Sequence, residues 1–159
     1  MTTLEITVAA VTERDGRFLL VEERIDGHLV LNQPAGHLER GETLEQAVVR
    51  EVREETAWRL HVGGLVGVYL WRHPRTGCRF KRFTFTGPVS DHRPEQPLDE
   101  GIVGTLWLTP DEIRSREATL RSPLVLRCIE DYLSGARAPL AAVARLDLDS
   151  APSAPAVEI

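Results

Sequence analysis

Gly36-His37-Leu38-Glu39-Arg40-Gly41-Glu42-Thr43-Leu44-Glu45-Gln46-Ala47-Val48-Val49-Arg50-Glu51-Val52-Arg53-Glu54-Glu55 is the stretch that decides how the rest of the chain is read. Thr43 can cap a helix and Gln46, three residues on, can close a capping box, so a helix is expected from Thr43 to about Thr56. At about 100° per residue, Leu44, Ala47 and Val48 share one stripe, and Glu51 and Glu55 continue it with Glu54 at its edge. Arg50, Arg53 and Gln46 fall towards the opposite side. The acidic residues are therefore expected to face inward, where solvent does not shield them. Glu51 with Glu54 and Glu51 with Glu55 are like-charge neighbours that cost a helix roughly 0.2–0.5 kcal/mol each. A bound cation would reverse that cost. Mg²⁺ suits the position because it takes hard oxygen ligands and is held by a few carboxylates together with substrate phosphates.

Five residues separate Gly36 from Glu42, seven more separate Glu42 from Arg50-Glu51, and Val52-Arg53-Glu54-Glu55 follows, with apolar Trp58 three further on. This spacing closely resembles the Nudix box, a specific signature because it fixes many positions in one window. Asn32-Gln33-Pro34-Ala35-Gly36-His37-Leu38-Glu39, Arg82-Phe83 and Leu120-Arg121-Ser122-Pro123-Leu124-Val125 extend the resemblance, towards bacterial phosphatases of that family, over residues 5 to 140. One position departs. Ala57 stands where the family usually has Gly, and a left-handed helix exit without Gly costs about 1 kcal/mol, so the exit is expected to differ or to be strained.

The resemblance implies an α/β fold, a mixed β-sheet sandwiched between helices (α/β/α). It implies a metal site made by Glu51, Glu54 and Glu55 with the carbonyl of Gly36, Arg50 orienting a carboxylate, and Mg²⁺ as cofactor with Mn²⁺ as an alternative ion. The general base would come from the box helix or a later loop, which makes Glu54 and Glu100 the candidates, with Asp99 equally within reach. Arg24 and Arg82 are candidate phosphate contacts, since guanidinium groups bind phosphate in a bidentate way. Trp71 and Phe83 could stack on a heterocycle, although core packing is the commoner use of such residues.

The implied activity is cleavage of the phosphoanhydride of small organic di- and triphosphates with release of phosphate. Nucleoside di- and triphosphates and the thiamine-pathway pyrimidine diphosphate are the implied substrates. Two other readings stay open: a Nudix hydrolase of ADP-ribose, dinucleoside polyphosphates or RNA 5′ ends, and a Nudix-fold sensor without catalysis.

Around this motif the chain is ordinary. Its 159 residues suit one domain, and 42% hydrophobic with 27% charged content suits a globular one. No stretch approaches the roughly 20 apolar residues of a membrane span, and the N-terminus lacks a basic region followed by an apolar one. Cys78 and Cys128 form no metal or disulfide pattern, which fits a reducing cytoplasm. A formal charge of −5 argues against nucleic-acid binding, so the expected partner is a small phosphorylated molecule, with the protein a monomer or homodimer.

Residues 5 to 24 read as two strands of a hairpin about Asp15-Gly16. His28 to Leu31 reads as a third strand, after which Asn32 to Gly36 leads into a loop at Pro34. Leu65 to Trp71 and Arg79 to Thr86 flank the turn Pro74-Arg75-Thr76-Gly77, and Gly104 to Leu108 is a shorter strand. Thr109-Pro110-Asp111-Glu112 starts one short helix. Ser122-Pro123 starts another, carrying Leu124, Leu126, Ile129 and Leu133 and ended by Gly135. The hydrolase domain is expected over 1–140. Residues 141–159 are expected to form a mobile tail, on the Ala-Pro-Ser-Ala-Pro composition after Asp147.

Overall fold

A computed structural model describes residues 3–143 of the chain; of the tail expected over 141–159, residues 144–159 lie outside the described residues. Leu140–Ala142 instead form a short 3₁₀ helix, and Val143 packs against the core cluster that holds Val8 and Ala47. The strands are β1 (Leu4–Val11), β2 (Glu13–Arg14), β3 (Arg17–Ile25), β4 (His28–Asn32) and β5 (Ala35–His37), followed by helix α1 (Leu44–Thr56). Then come β6 (Arg59–Leu60), β7 (Gly64–Arg72), β8 (Arg79–Thr86), β9 (Val89–Ser90), β10 (Ile102–Leu108), α2 (Pro110–Arg114) and α3 (Leu124–Leu133). β5, β1, β8 and β7 make a mixed sheet in that order, in which only β1 and β8 run parallel. β3 forms the centre of an antiparallel sheet with β10, β2 and β4.

The pleat of β1 sorts the core. Val8 and Ala10 pack with Ala47, Val48 and Val52 of α1, whereas Val11 joins Phe18, Leu20, Val125, Cys128 and Ile129 on the side of α3. Alternate residues of a strand point to opposite faces, so the central strand is covered on both. Helices thus flank the β structure, and the expected α/β/α arrangement is present with its strands divided between two four-stranded sheets and the short antiparallel pair β6–β9.

Two local readings need correction. The hairpin about Asp15-Gly16 joins only β2 to β3; β1 instead inserts between β5 and β8. Val8 to Val11 are buried without alternation, the pattern of a strand enclosed on both faces rather than one arm of a surface hairpin. Second, the segment after Pro34 is strand β5. Proline has no N–H to donate, but its carbonyl accepts from Ala10 N at 3.0 Å, and antiparallel pairing resumes at Ala35. Helix α3 carries Leu124, Leu126, Ile129 and Leu133 as expected, with its buried side running through Leu124, Val125, Cys128 and Ile129.

Both expected capping boxes form. Thr43 Oγ1 accepts from Gln46 N while Gln46 Oε1 accepts from Thr43 N, and Thr109 with Glu112 repeats the arrangement at α2. Gly135 takes φ +90° just past α3, as its position suggested.

Candidate active site

The acidic stripe of α1 does face inward. Glu51 and Glu55 are 7% and 6% exposed, and the Glu54 side chain, at the edge, is 40% exposed. Arg50, expected on the opposite side, folds back over them through its long side chain. Its Nε and Nη2 donate to the two oxygens of Glu42 at 2.6 and 3.0 Å, and Nη1 reaches Glu51 at 2.8 Å and Glu54 at 3.1 Å. Nη2 also donates to the His37 carbonyl at 3.0 Å, tying the loop before the helix to the same guanidinium. Glu42 holds its proton more weakly than an ordinary carboxyl, chiefly through the hydrogen bond from Arg50. These charge-assisted contacts fix the carboxylates that precede and follow Arg50 in one arrangement.

Glu51 has little room. An added methyl on Gly36 would stand 2.2 Å from the Glu51 carboxyl carbon, so the bare Cα of Gly36 is what lets β5 and α1 meet there. Burial pushes the Glu51 carboxyl up, opposed by the hydrogen bond and charge of Arg50 and reinforced by Glu54 and Asp99.

Asp99 completes the group. Glu51, Glu54 and Asp99 each present a carboxylate oxygen within 4.8 Å of the others. The C-terminal end of α1 brings Asp99 there, because the last carbonyls of a helix lack partners within it. The loop through 91–101 supplies them: Asp99 N donates to Glu54 O at 3.0 Å, Gln96 Nε2 to Arg53 O at 2.7 Å, and Arg93 N to Ala57 O at 3.0 Å. Arg53 adds bonds from its Nη1 to the Ala57 and Asp91 carbonyls. Glu100, next along this turn, is exposed and lies outside the converging trio.

Ala57 takes the left-handed conformation, φ 59° and ψ 11°, that its place at the helix exit demands, and its N–H donates to Arg53 O. The exit therefore keeps its shape without Gly, held by the loop bonds just described.

Glu55 is placed differently from the trio. Its carboxylate accepts from Ala35 N at 2.9 Å, and burial pushes its pKa up to about 9. The Ala35 bond opposes that rise, while Glu23, Glu51 and Asp99 add repulsion. Three oxygen donors converging with like charge suit a hard divalent cation, and a cation would relieve the repulsion that burial leaves.

Arg24 is exposed on β3, with its backbone N–H bonded to Gly101 O at 2.8 Å, beside the Asp99 turn. Arg82 is buried. Its Nη1 lies 3.4 Å from Gln33 Oε1, and burial disfavours its charge. Arg82 lines a cavity of about 170 Å³ that opens beside Ala35 and Gly36 and also meets Thr7, Glu23, Asn32, Trp71, Phe80 and Arg121. Phe83 is not among these residues. Alternation along β8 puts Phe80 and Arg82 on one face and Phe83 on the other, against the α1 cluster. Trp71 pairs with Phe80 across β7 and β8, their rings stacked at 5.7 Å. Thr7, Glu23, Asn32 and Arg121 drew no attention as single residues in the sequence. Two of them stand within the segments Asn32–Glu39 and Leu120–Val125 that carry the family likeness.

Comparison with known proteins agrees with this geometry. A family model described as NUDIX domain matches residues 1–128. The chain is 42% identical over 135 residues to phosphatase NudJ of Escherichia coli, covering 85% of this chain and 87% of that protein, and equally to phosphatase NudJ of Shigella boydii. Among solved structures, a NUDIX hydrolase from Nitrosomonas europaea superimposes with TM-score 0.88 at 47% identity, over 91% of this chain and 98% of that one. A MutT protein from Methanosarcina mazei, at 23% identity and TM-score 0.68 over 84% and 96% of the two chains, shares the fold. With the box residues gathered around one buried carboxylate and most of its length matched, this chain belongs to the Nudix hydrolase family.

Proposed function

We propose that this enzyme is a Mg²⁺-dependent phosphatase of small organic di- and triphosphates, with nucleoside di- and triphosphates and the thiamine-pathway pyrimidine diphosphate as its substrates. The observation that carries the reading is the convergence of Glu51, Glu54 and Asp99 beneath the Arg50 clamp. The likeness to phosphatase NudJ over most of both chains supports the phosphatase outcome.

In this reading Glu51, Glu54 and Asp99 hold Mg²⁺, with Gly36 and Glu55 lining the same site. When bound, the ion neutralises the diphosphate oxygens and acidifies water. Arg50 holds Glu51 and Glu54 at fixed positions, so their oxygens are already placed when substrate arrives. Glu54 is the general base: Arg50 engages its Oε2, which leaves Oε1 to take the proton of the attacking water. Arg24, exposed beside the Asp99 turn, contacts the outer phosphate. Among the described residues no helix is long and apolar enough to cross a membrane, and the free thiols of Cys78 and Cys128 suit a reducing cytoplasm.

The test is a phosphate-release assay across nucleoside di- and triphosphates and the pyrimidine diphosphate, run beside ADP-ribose, a dinucleoside polyphosphate and capped RNA. Mg²⁺-dependent release from the first group supports the reading. Negligible release there, with cleavage of capped RNA or ADP-ribose, overturns it.

A further inference from the structure

Four non-glycine residues among those described take positive φ: Asp15, Asp26, Ala57 and Asp91. Asp15 and Asp26 each precede a glycine that also has positive φ, in the tight turns joining β2 to β3 and β3 to β4, where this conformation is ordinary. Ala57 and Asp91 lie outside such turns. Their carbonyls accept from the same atom, Arg53 Nη1, both at 2.8 Å. A left-handed residue without the freedom of glycine persists where its surroundings fix it, and here one guanidinium holds two of them.

Arg53 stands in the last turn of α1, where a cation meets the unpaired carbonyls of the helix end. Its Nη2 donates to Asp91 Oδ2 at 3.0 Å, an oxygen that also meets Arg93 Nη2 at 3.3 Å. An isolated surface ion pair would leave the loop almost indifferent to Arg53. Here the ion pair is one of three bonds from a single planar group, two of them to backbone, so the three form or break together. Beyond Asp91 the chain forms no helix or strand until β10, yet it stays on the helix end. His92 stacks on Trp58 with ring centroids 4.3 Å apart, and the Arg14 guanidinium lies over the same Trp58 ring at 4.6 Å. Arg93 N then bonds Ala57 O and Asp99 N bonds Glu54 O, each at 3.0 Å. These contacts fall on Arg53, Glu54, Ala57 and Trp58, so the exit of α1 is the surface on which Asp99 is placed.

We propose that Arg53 is a positioning residue for the acidic trio: by pinning Asp91 to the exit of α1, it holds the loop so that the Asp99 carboxylate stays with those of Glu51 and Glu54. Arg53 supplies no ligand itself and acts through the loop. The proposal rests on the reading of that trio as the Mg²⁺ site. It divides the work between two arginines of one helix. Arg50 fixes the two carboxylates that the helix carries, and Arg53 fixes the one that it does not. Loss of Arg53 therefore lowers the affinity of the trio for a cation and leaves the chemistry of an occupied site intact.

The experiment uses the full chain and Arg53→Met, which keeps an unbranched helix-forming side chain and removes all three bonds. Amide hydrogen exchange is measured on the metal-free proteins, Mn²⁺ binding by electron paramagnetic resonance, and phosphate release as a function of Mg²⁺. Exchange should quicken across residues 91–101 and stay as in the wild type along β1. The Mn²⁺ dissociation constant should rise by about 10- to 100-fold, the range seen when groups that support a metal site are lost. At saturating Mg²⁺, kcat should stay within about threefold of the wild type, because what is lost is metal binding and not a contact to the reacting atoms. Arg53→Lys, which keeps the charge without the planar fork, should fall between the two proteins. Asp91→Asn, which tolerates the left-handed conformation, should weaken Mn²⁺ binding by a smaller factor. These two variants carry the test if Arg53→Met does not fold. Wild-type Mn²⁺ affinity in the variants would overturn the proposal. So would weakened affinity with unchanged exchange across 91–101, or a loss of kcat that saturating Mg²⁺ does not restore. A wild type that neither binds Mn²⁺ nor releases phosphate would instead overturn the metal-site reading on which the proposal rests.

Discussion

The Cα of Gly36 lies directly against the carboxylate of Glu51, close enough that a methyl group there would overlap all three carboxyl atoms, at 2.2 to 2.4 Å. Strand β5 and helix α1 are locked at this contact, and the proposed metal-binding group is built on it. Gly36→Ala should therefore displace Glu51 from Glu54 and Asp99. The expected result is a fall of at least about tenfold in kcat/KM, with a stability loss of about 1–3 kcal/mol from overpacking. Steady-state kinetics and chemical denaturation measure the two parts. A variant of wild-type activity would show that Glu51 can shift without consequence.

The position of the loop through 91–101 separates Asp99 from Glu100. Asp99 is tied by its backbone to Glu54 O and sends its carboxylate into the trio, whereas Glu100 stays outside it. Asp99→Asn should weaken Mg²⁺ dependence by about 10- to 100-fold, the range seen when groups that support a metal site are lost. Glu100→Gln should change it little. A Mg²⁺ titration of phosphate release on both variants decides the matter, and the reverse ranking would move the loop's contribution to Glu100.

Arg50 divides its five donors among Glu42, Glu51, Glu54 and the His37 carbonyl. A lysine keeps the charge but cannot form the planar fork that reaches these groups together. Arg50→Lys is expected to fold and to lose about 10²-fold in kcat, the cost of misplaced reacting groups. Circular dichroism with single-turnover kinetics would check both halves of that expectation.

At the helix exit, Ala57 holds a left-handed conformation with its side chain buried. Ala57→Gly would relieve about 1–2 kcal/mol of steric cost. Against this stand about 0.4–1 kcal/mol from greater unfolded-state freedom and about 0.8 kcal/mol for the lost methyl burial. The terms nearly cancel. Unfolding free energy should change by less than about 1 kcal/mol; a change well beyond that would show that the loop bonds at Arg53, Glu54 and Ala57 do not set the shape of the exit.

The helix of the box was legible because three independent signals coincide there: Thr43 with Gln46, the period of Leu44, Ala47 and Val48, and the spacing from Gly36 to Glu55. Each is a local property of the chain. What escaped depends on contacts between distant segments. Arg50 was assigned outward from periodicity alone, since a helical wheel places Cβ and not the end of a long side chain. The hairpin across 5–24 failed because partner choice for β1 is set by burial on both faces. Phe83 packs in the core, the commoner use of such a residue, and only the register of β8 shows that Phe80 is the one that shares a face with Arg82. The cavity itself was invisible in the sequence, since Thr7, Asn32 and Arg82 lie on three strands and meet only when two sheets are assembled.

The most direct test of the central claim is Mg²⁺-dependent phosphate release from a nucleoside triphosphate by the wild type and by Glu54→Gln, with thermal unfolding of each protein alongside. Glu54 is partly exposed and engages Arg50 through one oxygen, so the amide should fit without unfolding the chain. The account predicts that turnover falls by about 10²–10⁴-fold, the contribution of a positioned general base, while thermal stability stays nearly unchanged or improves. A Glu54→Gln variant that turns over at the wild-type rate, or a folded wild type that releases no phosphate with Mg²⁺ present, would contradict it.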